Sequence, residues 1–180
     1  MNIAAIKNLD IANGLGIRVS VFVSGCRNFC KGCFNSPAAD FNYGTPFNTE
    51  TLYHIMTLLG QDEIAGLSIL GGEPLDPFNQ RGVYTIVDAA KERYPNKTIW
   101  LYTGYTYEEL MVDKTKAQTP YLLPTLQACD VLVDGRFDEE LKNPSLAFRG
   151  SSNQRIIDLP DTLRENHIVL SSLMKTAIAP

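Results

Sequence analysis

The chain has 180 residues, 44% of them hydrophobic, and its 16 Lys and Arg against 20 Asp and Glu leave a formal charge of −4. At about 100–200 residues per domain, this length predicts one globular domain over residues 1–180, with a sizeable core and a single site. The mild acidic excess lacks the basic footprint of nucleic-acid binding, no stretch approaches the about 18 apolar residues of a membrane span, and Asp10 interrupts the N-terminus where a signal peptide keeps its apolar core; a cytoplasmic protein with no membrane or direct nucleic-acid role is expected.

In chain order, Ile17 to Val23 (IRVSVFV) is β-branched and apolar and reads as a buried strand that delivers the segment Ser24-Gly25-Cys26. Asn48 or Thr49 caps a helix in which Leu52, Ile55, Met56 and Leu59 recur at helical spacing, with Gly60 ending it. Ile64 to Leu70 is a second strand running into Gly71-Gly72-Glu73-Pro74, and Val83, Ile86, Val87 and Ala90 mark the next helix. Thr98 to Tyr102 is a third strand, closed by Thr103-Gly104. Short helices are predicted over Tyr107 to Met111 and Tyr121 to Ala128, the second weakened by Pro120 and Pro124. Cys129 to Val133 is a fourth strand ending at Asp134-Gly135. A polar, turn-rich stretch then leads to a fifth strand over Arg155 to Leu159, and the chain from Thr162 onwards, including SSLMKTAIAP, carries no clear pattern.

Strands alternating with helices at roughly 30-residue spacing predict parallel βαβ units. A complete eight-unit barrel needs about 250 residues, so the expected fold is α/β, a partial (β/α) barrel of about five to six parallel strands. Ligands in such folds gather at the C-terminal ends of strands, which is where GCRNFCKGC, GGEP, YTG and VDG fall.

Of the four cysteines, Cys26, Cys30 and Cys33 share an eight-residue stretch while Cys129 stands alone. The C-x3-C-x2-C spacing lets a short loop wrap one inorganic centre with three thiolates. Iron–sulfur clusters of the four-iron type usually take four cysteines, so three leave one iron open to a ligand. Zinc competes, but structural zinc sites complete four ligands, and the available additions, Cys129, His54 and His167, lie far off in sequence. A redox-active or purely structural thiol group is the third reading. Gly25 and Gly32 either clear space for a cluster or serve as turn glycines, and Cys129 reads as a small buried apolar residue.

GCRNFCKGCFN together with GGEP resembles the radical S-adenosylmethionine (SAM) superfamily, whose members hold a three-cysteine [4Fe-4S] cluster in a full or partial (β/α) barrel. Many members place an aromatic residue before the third cysteine; this chain has Gly32. That departure is shared by the activating proteins of anaerobic (class III) ribonucleotide reductase, which GIRVSVFVSGC, YTGY, DVLVDGRF and RGSSNQRIID also resemble, over roughly residues 14–160. The resemblance implies that Cys26, Cys30 and Cys33 hold iron and form the catalytic centre. It further implies that Gly32, Cys33, Phe34, Gly71, Gly72, Glu73 and Asn153 bind SAM, with Glu73 meeting its ammonium group; Tyr102 and Thr103 are further candidates, and GGEP alternatively reads as a plain strand-to-helix turn. It implies reductive cleavage of SAM and a glycyl radical formed on the large subunit of the reductase, with electrons from a one-electron donor such as flavodoxin. Tyr105, Tyr107, Arg136 and Phe137 are candidates for meeting that partner or for ordinary surface packing. The competing functions are an activase of another glycyl-radical enzyme of the pyruvate formate-lyase type, a radical SAM enzyme with a small-molecule substrate, and a zinc-binding interaction module.

Overall fold

A computed structural model describes residues 1–112 and 116–175. Its strands are β1 (Asn2–Asp10), β2 (Arg18–Val23), β3 (Thr45–Pro46), β4 (Gly66–Gly71), β5 (Thr98–Tyr102), β6 (Val131–Asp134) and β7 (Arg155–Asp158). Its α-helices are α1 (Thr49–Leu59), α2 (Pro77–Arg93), α3 (Tyr107–Met111), α4 (Leu122–Ala128) and α5 (Leu159–Glu165). Residues 176–180 of the tail lie outside the described residues; before them, Ser172–Lys175 forms a 3-10 turn. Among the described residues no helix is long and apolar enough to cross a membrane.

The seven strands form one mixed sheet in the order β3-β1-β2-β4-β5-β6-β7. Its centre is parallel: β2 pairs with β4, β4 with β5 and β5 with β6. The flanks are antiparallel, β1 and β3 on one side and β7 on the other. The expectation of five to six parallel strands is therefore corrected to four, and β3 and β7 stand as the two edges of an open sheet. Connectivity explains the difference. A parallel neighbour needs a crossover that carries the chain back to the start of the sheet. Segment 135–154 instead stays at the end where β6 finishes, so β7 must run the other way. Leu159, expected to close that strand, starts α5 behind the side-chain cap of Asp158. At the front of the chain, Asn2–Asp10 is a strand the apolar pattern did not announce, because as an outer strand it buries few of its side chains.

Alternation along the central strands divides the interior. Val19, Val21 and Val23, Leu67 and Ile69, and Ile99 and Leu101 pack with Ile55, Leu59, Val83, Ile86, Val87 and Leu126 of the helices. The other face takes Trp100, Val133 and Ile156, with Phe148, Leu173 and Met174 against them. Cys129 closes α4 as a buried residue of the helical-face core, and burial pushes its thiol pKa up, in keeping with a structural role.

At the start of the strands Arg18 is fully buried on the face opposite the helices. Its guanidinium donates to Ser68 Oγ at 2.7 Å, Leu67 O at 2.7 Å, Thr98 O at 2.8 Å, Leu15 O at 3.0 Å and Thr98 Oγ1 at 3.1 Å. It thereby clips β2, β4 and β5 together. Gly66 makes this possible, since a Cβ there would stand 2.8 Å from an Arg18 nitrogen and 2.0 Å from Thr98 O. Burial lowers the Arg18 pKa to about 10, which leaves it charged at neutral pH. Replacing Arg18 with methionine keeps apolar bulk but strands these acceptors, and a loss of about 3 kcal/mol is expected, read as a lower urea midpoint in equilibrium unfolding. An unchanged midpoint would show that the clip contributes nothing net.

Candidate functional site

The C-terminal ends of β2, β4, β5 and β6 open into a cavity of about 380 Å³ whose wall includes Cys26, Cys30, Cys33, Phe34, Gly71, Gly72, Tyr102, Thr103, Gly104, Val133 and Gly135. All three clustered cysteines are free, partly buried and on this wall.

The loop that carries them is fastened at its start. Gly25 N–H donates to Ala38 O at 2.8 Å and Cys26 N–H to Ala39 O at 3.0 Å, while Gly72 N–H reaches Val23 O at 2.7 Å and Glu73 N–H reaches Gly25 O at 2.8 Å. The buried Asn79 of α2 donates to Ser24 O at 3.0 Å and to Glu73 O at 2.9 Å. Arg27 pairs with Asp76, the cap of α2, and stacks over the Phe41 ring at 4.4 Å. Between Cys26 and Cys33 the chain turns back on itself: Asn28 N–H points at Cys26 Sγ at 3.4 Å, and Cys33 N–H donates to Cys30 O at 3.3 Å.

The glycines have steric reasons of their own. A Cβ on Gly72 would lie 2.6 Å from Gly25 O and 2.8 Å from Ala38 O. Its close approach is thus to the backbone of the cysteine loop, in addition to its place on the cavity wall. Gly32, with φ +71°, faces away from the cavity; a Cβ there would meet Glu139 Oε1 at 2.7 Å, and Lys31 Nζ pairs with the same carboxylate at 3.2 Å. Gly32 is not on the cavity wall, and Glu139 occupies the room that a side chain at position 32 would need.

Glu73 lies behind the wall. It is buried, absent from the cavity wall, and saturated by four donors, Thr103 Oγ1 at 2.7 Å and Leu75 N at 2.9 Å on Oε1, and Asn28 Nδ2 and Gly104 N, both at 2.7 Å, on Oε2. Burial pushes its pKa up while these donors pull it down. Rather than offering a vacant oxygen, the carboxylate ties the cysteine loop to the ends of β4 and β5. Asn153 stands one residue short of the wall: its amide donates to Arg136 O at 2.8 Å beside a second cavity of about 420 Å³, whereas Gln154 lines the first. Of the expected partner-facing residues, Phe137 borders both cavities, Arg136 borders the second and lies 5.8 Å over the Tyr105 ring, and Tyr107 packs against the core. Phe29, Asn28 and Gln154 were not anticipated on the wall. Their only signal in the sequence is a place inside the cysteine loop or next to Asn153.

At Cys26 and Cys30 the surroundings favour the protonated thiol in the free chain. Burial is the main cause for both Cys26 and Cys30; Glu73 and the neighbouring thiols add to it at Cys26, while the Asn28 N–H opposes it there and the Phe137 N–H opposes it at Cys30. Loading with metal must therefore expel protons. Among the described residues no three His, Cys, Asp or Glu side chains are grouped as around one metal ion. Three free thiols on one cavity wall are the donor set that a cluster with one thiolate per iron takes.

Comparison with known proteins agrees. The family model of the 4Fe-4S single cluster domain matches residues 12–157. The anaerobic ribonucleoside-triphosphate reductase-activating protein of Pasteurella multocida (strain Pm70) is 39% identical over 158 residues, covering 87% of this chain and 96% of that protein. The protein of the same description from Haemophilus influenzae is 40% identical over 159 residues, with 87% and 97% covered, and that of Enterobacteria phage T4 is 36% identical over 156 residues, with 87% and 93% covered.

Proposed function

The chain belongs to the family of anaerobic ribonucleoside-triphosphate reductase-activating proteins, with its 4Fe-4S single cluster domain, and from that membership we propose that it generates a glycyl radical on the large subunit of an anaerobic ribonucleotide reductase. The observation that carries this reading is the meeting of Cys26, Cys30 and Cys33 on one cavity wall with the glycine-rich ends of the parallel strands. The same reading takes the open sheet as a partial (β/α) barrel, the molecule as one cytoplasmic domain, and the electron source as a one-electron donor such as flavodoxin.

Cys26, Cys30 and Cys33 would hold the [4Fe-4S] cluster, and three thiolates in place of the usual four would keep a place for SAM. When bound, the cluster and SAM would supply one electron and a cleavable sulfonium–carbon bond, the chemistry needed to take hydrogen from the partner's glycine. The protein's own work is placement. Gly71 and Gly72 bring bare backbone to the cavity, Phe34 and Tyr102 supply ring surface, and Val133 and Leu70 keep that wall apolar, which limits water around a reactive species. Glu73 acts behind the wall by fixing Asn28, Thr103 and Gly104.

Anaerobic reconstitution with iron and sulfide tests the proposal. With a strong reductant and SAM, methionine and 5′-deoxyadenosine are expected, and a glycyl-radical signal should appear by electron paramagnetic resonance when the reductase large subunit is added. No cleavage products, or a signal with pyruvate formate-lyase and none with the reductase, overturns it.

A further inference from the structure

Asn35 stands two residues after Cys33 on the wall of the thiol-lined cavity, and its side-chain nitrogen Nδ2 is buried with no hydrogen-bond partner among the described residues. Buried donors are almost always paired, because an amide N–H cut off from water without an acceptor destabilises the fold. The residue also precedes the 3-10 turn Ser36–Ala39, a position at which an asparagine side chain commonly caps the first backbone N–H groups. Here it makes no cap bond. Only the backbone carbonyl of Asn35 serves the turn, accepting from Ala38 N–H at 3.0 Å.

We infer that the Asn35 amide is a hydrogen-bond donor to the iron–sulfur cluster, its acceptor a sulfur at the Cys33 corner. The inference rests on the activase reading and adds to it a residue that sets how readily the cluster takes its electron. Nδ2 is closed off from solvent by the chain around it, so a small molecule entering the cavity does not meet it, whereas a sulfur held by the same loop can be set against it. The loop already makes one contact of this kind, between Asn28 N–H and Cys26 Sγ at 3.4 Å. A neutral thiol accepts weakly; thiolate and sulfide carry charge and accept strongly, so the partner of this donor arises only when metal replaces the protons. Such a bond strengthens as the cluster gains negative charge, and it therefore raises the reduction potential.

Asn35→Leu removes the amide and keeps its branched shape. The full-length chain, reconstituted with iron and sulfide, is titrated with dithionite under electron paramagnetic resonance, without SAM and without the reductase. Iron content should match the wild type, while the equilibrium constant for one-electron reduction falls about tenfold, a shift of about 59 mV to lower potential. Asn35→Gln, which retains an amide donor, should return part of that shift. In the metal-free protein the urea midpoint of Asn35→Leu should equal or exceed that of the wild type, since no bond is lost there. An unchanged potential in Asn35→Leu overturns the assignment. So does a lower urea midpoint in both Asn35→Leu and Asn35→Ala, which would give the amide a partner within the metal-free fold. A loss of SAM affinity with the potential unmoved is equally fatal, because it would make the amide a SAM contact. Should Asn35→Leu hold no iron, the potential of Asn35→Ala decides on the same terms. A wild type that holds the cluster but cleaves no SAM refutes the activase reading and leaves the donor to be judged by its potential; a wild type that takes up no cluster removes both.

Discussion

Cys30→Ala is expected to abolish the cluster rather than weaken it. Three thiolates come from one short loop, and removing the middle one leaves Cys26 and Cys33 as the only cysteines on the cavity wall. No substitute is at hand. Cys129 is locked in the core at the end of α4 with its thiol pKa raised by burial. Even outer partners of metal ligands cost about 10–100-fold in affinity or activity when removed, so loss of a ligand should cost more than about 100-fold. The visible absorbance of the reconstituted protein, its iron content, and glycyl-radical formation should disappear together. The fold should persist, because the loop lies outside the apolar core and its thiols are only half-buried. Near-native far-ultraviolet circular dichroism of the apo variant checks this. Cys129→Ala is the control: normal iron, with a stability loss of about 1 kcal/mol from the small cavity it leaves. Full iron retention in Cys30→Ala would remove the basis of the cluster assignment.

The parts of this architecture written in short stretches of sequence were legible. The run Ile17–Val23 announced β2, the spacing of Leu52, Ile55, Met56 and Leu59 announced α1 between Asn48 and Gly60, and TIWLY delivered β5 at its observed bounds. The three cysteines, the double glycine and Phe34 reached one wall because each follows a parallel strand or lies in the loop that does. What escaped depends on direction or on distant partners. β1 alternates weakly because it faces solvent along much of its length. The reversal at β7 is set by where segment 135–154 runs, which no local pattern encodes. That Glu139, from a segment far along the chain, would stand against Gly32 is likewise written in no local pattern. Glu73 looked like a vacant acceptor because the sequence shows its charge and not the four donors that already consume it.

Those four donors make Glu73→Gln a severe change despite its shape. A carboxylate offers two accepting oxygens; a glutamine amide offers one, and its nitrogen donates. If that nitrogen takes the Oε1 position, the Thr103 hydroxyl can rotate to accept, but the Leu75 N–H is left opposed by another donor. In the Oε2 position the Asn28 amide can flip to accept, but the Gly104 N–H is left opposed. Either way at least one buried backbone N–H loses its acceptor, at about 1–3 kcal/mol, and the bond to ionised oxygen is lost at the others as well. Asn28 lies between Cys26 and Cys30, so the strain falls on the loop that must hold iron. Glu73→Gln should therefore lower iron occupancy and SAM affinity in step, and Glu73→Ala, which strands all four donors, should lower both further. A carboxylate serving only as partner to the SAM ammonium behaves differently: iron content would stay at the wild-type value while SAM affinity alone fell. Iron analysis and equilibrium dialysis with labelled SAM on the same reconstituted samples separate the two, and constant iron in Glu73→Gln would move Glu73 from scaffold to cofactor contact.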